Sequence, residues 1–182
     1  IDATGKTNRD VFSSTGGGKV KLTNIKLLGG MSGIYVEVPA GQTSTALVEL
    51  KSVLVKGAAL HGIHIVDGNA AKASIRLDMA KTKVFENGLG GLDQDGVLVE
   101  ETGGGKVLIT VTDSFVNDNA GDGFGVNESG AGDVKVTIAG SVFLSYGANP
   151  NNLGNPEDGL DIYEENAGNL IMTVTDSRFN LN

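Results

Sequence analysis

Apolar and polar residues alternate along most of this chain in short bursts. Phe124 and Val126 alternate with Gly125 and Asn127. After a Gly-rich stretch, Val134, Val136 and Ile138 alternate with Lys135 and Thr137, and a third burst follows around Ser141 and Phe143. A period of two over four to eight residues marks a strand with one face inward and one outward. No window of ten or more residues sustains a 3.6-residue period, so the pattern predicts strands and turns throughout.

The bursts recur. DGVLVEETGGGKV (95–107), DGFGVNESGAGDV (122–134) and DGLDIYEENAGNL (158–170) superpose without a gap. So do the runs that follow them, VLITVTDSFVNDN (107–119), VKVTIAGSVFLSY (134–146) and LIMTVTDSRFNLN (170–182). HGIHIVDGN (61–69) and SGIYVEVPAG (32–41) are weaker copies, and TGGGKV occurs at both 15–20 and 102–107. The Gly of the Asp-Gly position falls at 33, 62, 96, 123 and 159, so the minimal unit is 27 residues. The longer intervals carry insertions around ENGLGGLDQ (86–94) and YGANPNNLGNPE (146–157).

Three short strands per unit, joined by Gly, Asn, Asp and Ser turns, make one coil of a stacked solenoid. A sandwich of β-hairpins competes with this reading, but hairpins have no reason to repeat side chains column by column. The expected fold is all-β: a single-stranded right-handed parallel β-helix of about five to six coils, with residues 1–182 forming one domain. Its expected core holds two columns, represented by Ile34, Val36, Ile63, Ile65, Val97, Val99, Phe124, Val126, Leu160 and Ile162. Repeat register runs from TGGGKV near the start to SRFNLN (177–182) at the end. The expectation is therefore a piece of a longer chain, or coils of like chains stacked end to end.

Composition agrees with many tight turns around a thin aliphatic core: 28 Gly, 3 Pro, no Trp and 5% aromatic residues. The absence of Cys excludes disulfides and thiolate metal sites. A net charge of −8 argues against nucleic acid as a partner. No run of 18 apolar residues is present to span a membrane. These features fit a bacterial extracellular or cell-surface protein.

Stacking turns repeats into columns of chemistry. Asp95, Asp122 and Asp158 share one column with Ser32 and His61; Glu101, Glu128 and Glu164 share another with Asp67. Like charges at strand spacing repel, so something must compensate. Solvent and turn N–H groups are expected to do so for the Glu column, at a surface corner. For the Asp column, either Asp caps its own turn or a hard cation such as Ca²⁺ gathers the carboxylates. Asp158 and Asp161, three apart, would face one ion across a bulge. His61 and His64 are expected on opposite faces of a strand. Ser114, Ser141 and Ser177 form a column with no His in register, which predicts chain turning and inter-coil hydrogen bonds in place of a nucleophilic triad. Asn119 and Asn182 are equivalent and predict a short Asn ladder. Tyr35, Tyr146 and Tyr163 are candidates for stacking on sugars.

The TVTDS runs followed by DG and an aliphatic strand resemble the right-handed parallel β-helix repeat superfamily, which includes pectate lyases and polygalacturonases. One local match is sharper: GDGFGVNESGAG (121–132), followed a coil later by EDGLDIYE (157–164), is similar to the calcium site of family 9 pectate lyases. That resemblance implies Asp122, Glu157, Asp158 and Asp161 as Ca²⁺ ligands, with Glu157 standing where the family has Asp. The family also uses a basic residue to abstract a proton. Here Arg178 is the only basic residue after Lys135, so no catalytic residue is assigned. The expected function is a secreted or surface-exposed, non-catalytic β-helix module for adhesion, carbohydrate contact or structural assembly. The alternative is a calcium-dependent polysaccharide lyase acting on a uronate polymer, or a fragment of one.

Overall fold

A computed structural model describes residues 1–68, 71–89, 91, 94–144 and 158–180. Strand β1 (Asp2–Ala3) leads into six coils of three strands each. They are β2 (Phe12–Thr15), β3 (Lys19–Thr23) and β4 (Lys26–Gly29); β5 (Ile34–Val38), β6 (Ala46–Lys51) and β7 (Leu54–Lys56); β8 (Ile63–Asp67), β9 (Ile75–Ala80) and β10 (Lys83–Phe85); β11 (Val97–Glu101), β12 (Val107–Thr112) and β13 (Phe115–Asn117); β14 (Phe124–Glu128), β15 (Val134–Ala139) and β16 (Val142–Leu144); β17 (Leu160–Glu164), β18 (Leu170–Thr175) and β19 (Arg178–Asn180). Every strand pairs in parallel with the equivalent strand of the next coil. Sheet I runs β2-β5-β8-β11-β14-β17, sheet II β3-β6-β9-β12-β15-β18, and sheet III β1-β4-β7-β10-β13-β16-β19. This is the expected right-handed parallel β-helix. Among the described residues no helix is long and apolar enough to cross a membrane.

The strict alternation explains the core. In register, Ile34, Ile63, Val97, Phe124 and Leu160 form one inward column and Val36, Ile65, Val99, Val126 and Ile162 the next. All but Leu160 and Ile162 are buried, and those two pack against the core at its last coil. Sheet III adds an aromatic spine. The Phe143 ring meets Phe124 edge-on at 5.9 Å and stacks on Phe179 at 5.1 Å.

Two kinds of corner turn on a single residue. Between sheets II and III, Asn24, Ser52, Lys81, Asp113, Gly140 and Asp176 all take φ between 48° and 57°. After sheet III, Gly29, Gly57, Glu86 and Asp118 are also left-handed. Such a conformation costs an ordinary side chain about 1–2 kcal/mol. The next residue at the first corner offsets part of that. Ser114 Oγ donates to Thr112 O at 2.8 Å and accepts Thr82 N–H from the preceding coil at 3.1 Å; Ser141 and Ser177 repeat the pattern. The Ser column therefore does turn the chain and link coils. An Asn pair links two coils at Asn119, the described member of the expected ladder. Asn87 Nδ2 donates to Asn119 Oδ1 at 2.9 Å, and Asn87 Oδ1 accepts Ala58 N–H; Asn182 is outside the described residues, as is Tyr146.

The recurrent Gly of the Asp-Gly position is not a left-handed turn residue. Gly33, Gly62, Gly96 and Gly123 sit so close to the next coil that an added Cβ would lie 2.6 Å from the carbonyl oxygen of Gly62, Gly96, Gly123 and Gly159 respectively. Close approach of coils, and not backbone conformation, requires glycine here.

Candidate functional site

The outer face of sheet I gathers most of the chemistry. Its two outward columns read Ser13, Tyr35, His64, Leu98, Gly125, Asp161 and Thr15, Glu37, Val66, Glu100, Asn127, Tyr163. Gly125 interrupts the first column. With no side chain between Leu98 and Asp161, a groove of about 380 Å³ opens there. His61, Asp95, Asp122 and Asp161 line it together with Leu98, and Glu100, Asn127 and Tyr163 complete the lining. Asp95 Oδ2 leans over the floor; a Cβ on Gly125 would lie 2.8 Å from it. Tyr163 stands 57% exposed at the groove. A smaller hollow of about 230 Å³ lies on the outer face of sheet II. It has no aromatic wall, and its Lys21 and Glu49 charges are only 4.0 Å apart.

The Asp column forms one rim, and it works between coils. Asp95 Oδ1 accepts Asp122 N–H at 2.9 Å, and Asp122 Oδ1 accepts Asp158 N–H at 2.7 Å. Asp10 Oδ1 accepts Ser32 N–H, and His61 Nδ1 accepts Asp95 N–H at 2.9 Å. Asp10, His61, Asp95 and Asp122 thus each satisfy a backbone N–H of the following coil. Accepting at Nδ1 leaves the proton of a neutral His61 on Nε2.

The two histidines lie on the same face, against expectation, with ring centroids 5.0 Å apart. The alternation rule fails because His61 precedes the strand, at the bend before Ile63, and only His64 belongs to β8. His64 Nε2 meets Glu100 Oε2 at 2.6 Å, a bond that holds the Glu100 carboxyl below its ordinary range even though burial opposes it. Tyr35 packs edge-on against His64 at 5.5 Å; burial, then the charges of Glu37, Asp10 and Glu100, push its hydroxyl pKa up.

Three of the expected calcium ligands come to this region. Asp158 N–H bonds Asp122, and Asp161 pairs in register with Gly125. Burial first, then the charge of Asp158, raises the Asp161 pKa. Glu157 lies outside the described residues. Among those described, no three His, Asp or Glu side chains converge closely enough to hold a metal ion. Arg178 is on sheet III, away from the groove. Sequence reasoning passed over Gly125, Leu98, Glu100 and Asn127. The signal was present: aligning outward columns shows a Gly where every other coil carries a side chain.

The Glu column is not at a solvated corner. Asp67, Glu101 and Glu128 are 4%, 0% and 1% exposed, because the Gly-rich turns between sheets I and II fold over them. Backbone N–H groups of the turns compensate one oxygen of each, as expected.

No protein-family model, curated protein or solved structure matches this chain.

Proposed function

We propose that this chain is a secreted or surface-exposed, non-catalytic β-helix module that contacts carbohydrate through the sheet I groove. The observation that carries this reading is the groove itself, floored by Gly125 and flanked by carboxylates, Asn127 and an exposed Tyr163. Planar carboxylate and amide groups accept and donate hydrogen bonds in the paired geometry that vicinal sugar hydroxyls offer. An exposed tyrosine ring supplies an apolar platform for a pyranose face. The acidic rim disfavours a polyanionic ligand in the absence of a cation, which points to neutral glycans. A panel of neutral hexasaccharides, titrated by calorimetry, tests this. Tyr163→Ala is expected to weaken the best binder about tenfold, or about 1.4 kcal/mol. Equal affinity in that variant would overturn the role of the groove.

The calcium-dependent lyase is the second reading, supported by the Asp158 charge that acts on Asp161, a residue of the groove lining. If Asp122, Glu157, Asp158 and Asp161 hold Ca²⁺ in the folded state only, a hundredfold excess over Kd raises stability by about 2.7 kcal/mol. Asp158→Asn or Asp161→Asn would remove that gain, and Asp95→Asn would not. Identical melting with calcium and with chelator excludes the site, and unsaturated product from polygalacturonate would establish lyase activity.

A further inference from the structure

Asp67, Glu101, Glu128 and Glu164 end four successive strands of sheet I, with Glu101, Glu128 and Glu164 in direct register. One oxygen of each of the three buried carboxyls is well served. Asp67 Oδ1 accepts Thr102 N–H at 2.6 Å. Glu101 Oε1 accepts Gly103 and Gly105 N–H at 3.1 and 2.9 Å, and Glu128 Oε1 accepts Gly130 and Gly132 N–H at 2.9 and 3.2 Å. Among the described residues, the other oxygens, Asp67 Oδ2, Glu101 Oε2 and Glu128 Oε2, meet no donor, and neither does Glu164 Oε1. Buried carboxylate oxygens without donors are strongly disfavoured. Here they recur at one position in four successive coils.

Among the described residues, no ion pair involves this column: Lys106 is tied to Asp133 and His64 to Glu100. Lys72 and Glu165 are exposed on the adjoining turns. The first inward residues of sheet II beyond those turns, Ile75, Val107 and Val134, are aliphatic. Neighbouring carboxyls remain as partners. A hydroxyl proton held between two of them satisfies one oxygen as donor and the next as acceptor, and removes the repulsion of stacked charges.

We propose that Asp67, Glu101, Glu128 and Glu164 form a proton-sharing ladder inside the solenoid, a latch on the sheet I–II corner that rising pH releases.

The electrostatics agree in direction. Burial raises the Glu101 pKa to about 8 from 4.5; the Gly105 N–H opposes this, and the Glu128 and Asp67 carboxyls add to it. The folded chain therefore keeps a proton that the unfolded chain has already lost. The latch's contribution is complete below the ordinary carboxylate range, declines between 4.5 and about 8, and is gone above. Glu49, Glu100 and Asp133, held low by Lys19, His64 and Lys106, act oppositely, and only in acid.

Urea melting of the whole chain from about pH 5 to about pH 9 tests the ladder. The midpoint is expected to fall steadily across the window in the native protein and to flatten in Glu101→Gln, which keeps the acceptor for Gly103 and Gly105 but carries no titrating proton. Infrared spectroscopy of the native protein gives a second readout that needs no variant: a protonated carboxyl band at neutral pH that vanishes on alkaline titration. A flat native profile, an unchanged slope in Glu101→Gln, or no protonated carboxyl at neutral pH would overturn the proposal.

Discussion

Gly96→Ala is expected to destabilise the fold by about 3 kcal/mol or more, the upper range for overpacking a close contact. The added Cβ would lie 2.6 Å from Gly123 O and 2.7 Å from Val116 Cγ1, and would press on Asn119 Nδ2. The carbonyl belongs to a ladder in which Val97 N–H bonds Gly123 O and Gly96 N–H bonds Asp122 O, so it cannot withdraw without opening sheet I. Gly104→Ala is the internal control. Its Cβ meets nothing within 4 Å, so the change is expected to be neutral or to stabilise by about 0.5 kcal/mol through the unfolded chain. The flanking Gly103 and Gly105 would drive a Cβ onto Ala71 O and Ala73 O. Within one Gly triplet, only the central position is expected to tolerate Ala. Equal denaturation midpoints for Gly96→Ala and Gly104→Ala would contradict the stacking.

Phe143→Ala is expected to cost about 3–5 kcal/mol, the range for emptying a buried aromatic site. Phe143 is fully buried between Phe124 and Phe179, and the parallel sheets on either side cannot collapse into the void without breaking register. The same truncation at the last coil is expected to cost far less. Met172 is 42% exposed, whereas its column mates Val136 and Ile109 are 1% and 2%. Urea denaturation of Phe143→Ala and Met172→Ala measures the contrast directly.

These positions also show which parts of the structure could be read from sequence. The inward columns were legible because alternation and repeat length both constrain them: Val97, Phe124 and Leu160 recur at a fixed place and have one face to bury. The left-handed corners were not, because Ser52, Lys81 and Glu86 occupy them without advertising the conformation. The second TGGGKV is instructive. Gly16 and Gly18 have φ of 140° and 129°, but Gly103 and Gly105 show no such excursion. The difference lies in register: Thr15 shares the column of Glu100, so the first copy enters its turn two residues earlier than the second, whose Gly103 and Gly105 N–H groups bond Glu101. Identical hexapeptides thus turn differently according to where the strand before them ends.

At the groove, the Asp column was legible as a column but not as a set of inter-coil acceptors. Spacing places Asp95 above Asp122; only the backbone path shows that Asp122 N–H points at Asp95 Oδ1. The His61–His64 pair was misread because alternation was extended past the start of β8. The floor at Gly125 was not legible because chemical motifs are made of side chains that are present, and here a missing side chain makes the cavity.

We propose the outward face of sheet I, at its Gly125 groove, as the binding surface of a non-catalytic module. Backbone amide chemical-shift mapping, during titration with the best neutral hexasaccharide, tests it most directly. Shifts are expected to concentrate at Leu98, Gly125, Asn127 and Tyr163, with the oligosaccharide recovered intact. Shifts centred on the outer face of sheet II or at the solenoid ends, or a cleaved oligosaccharide, would contradict it.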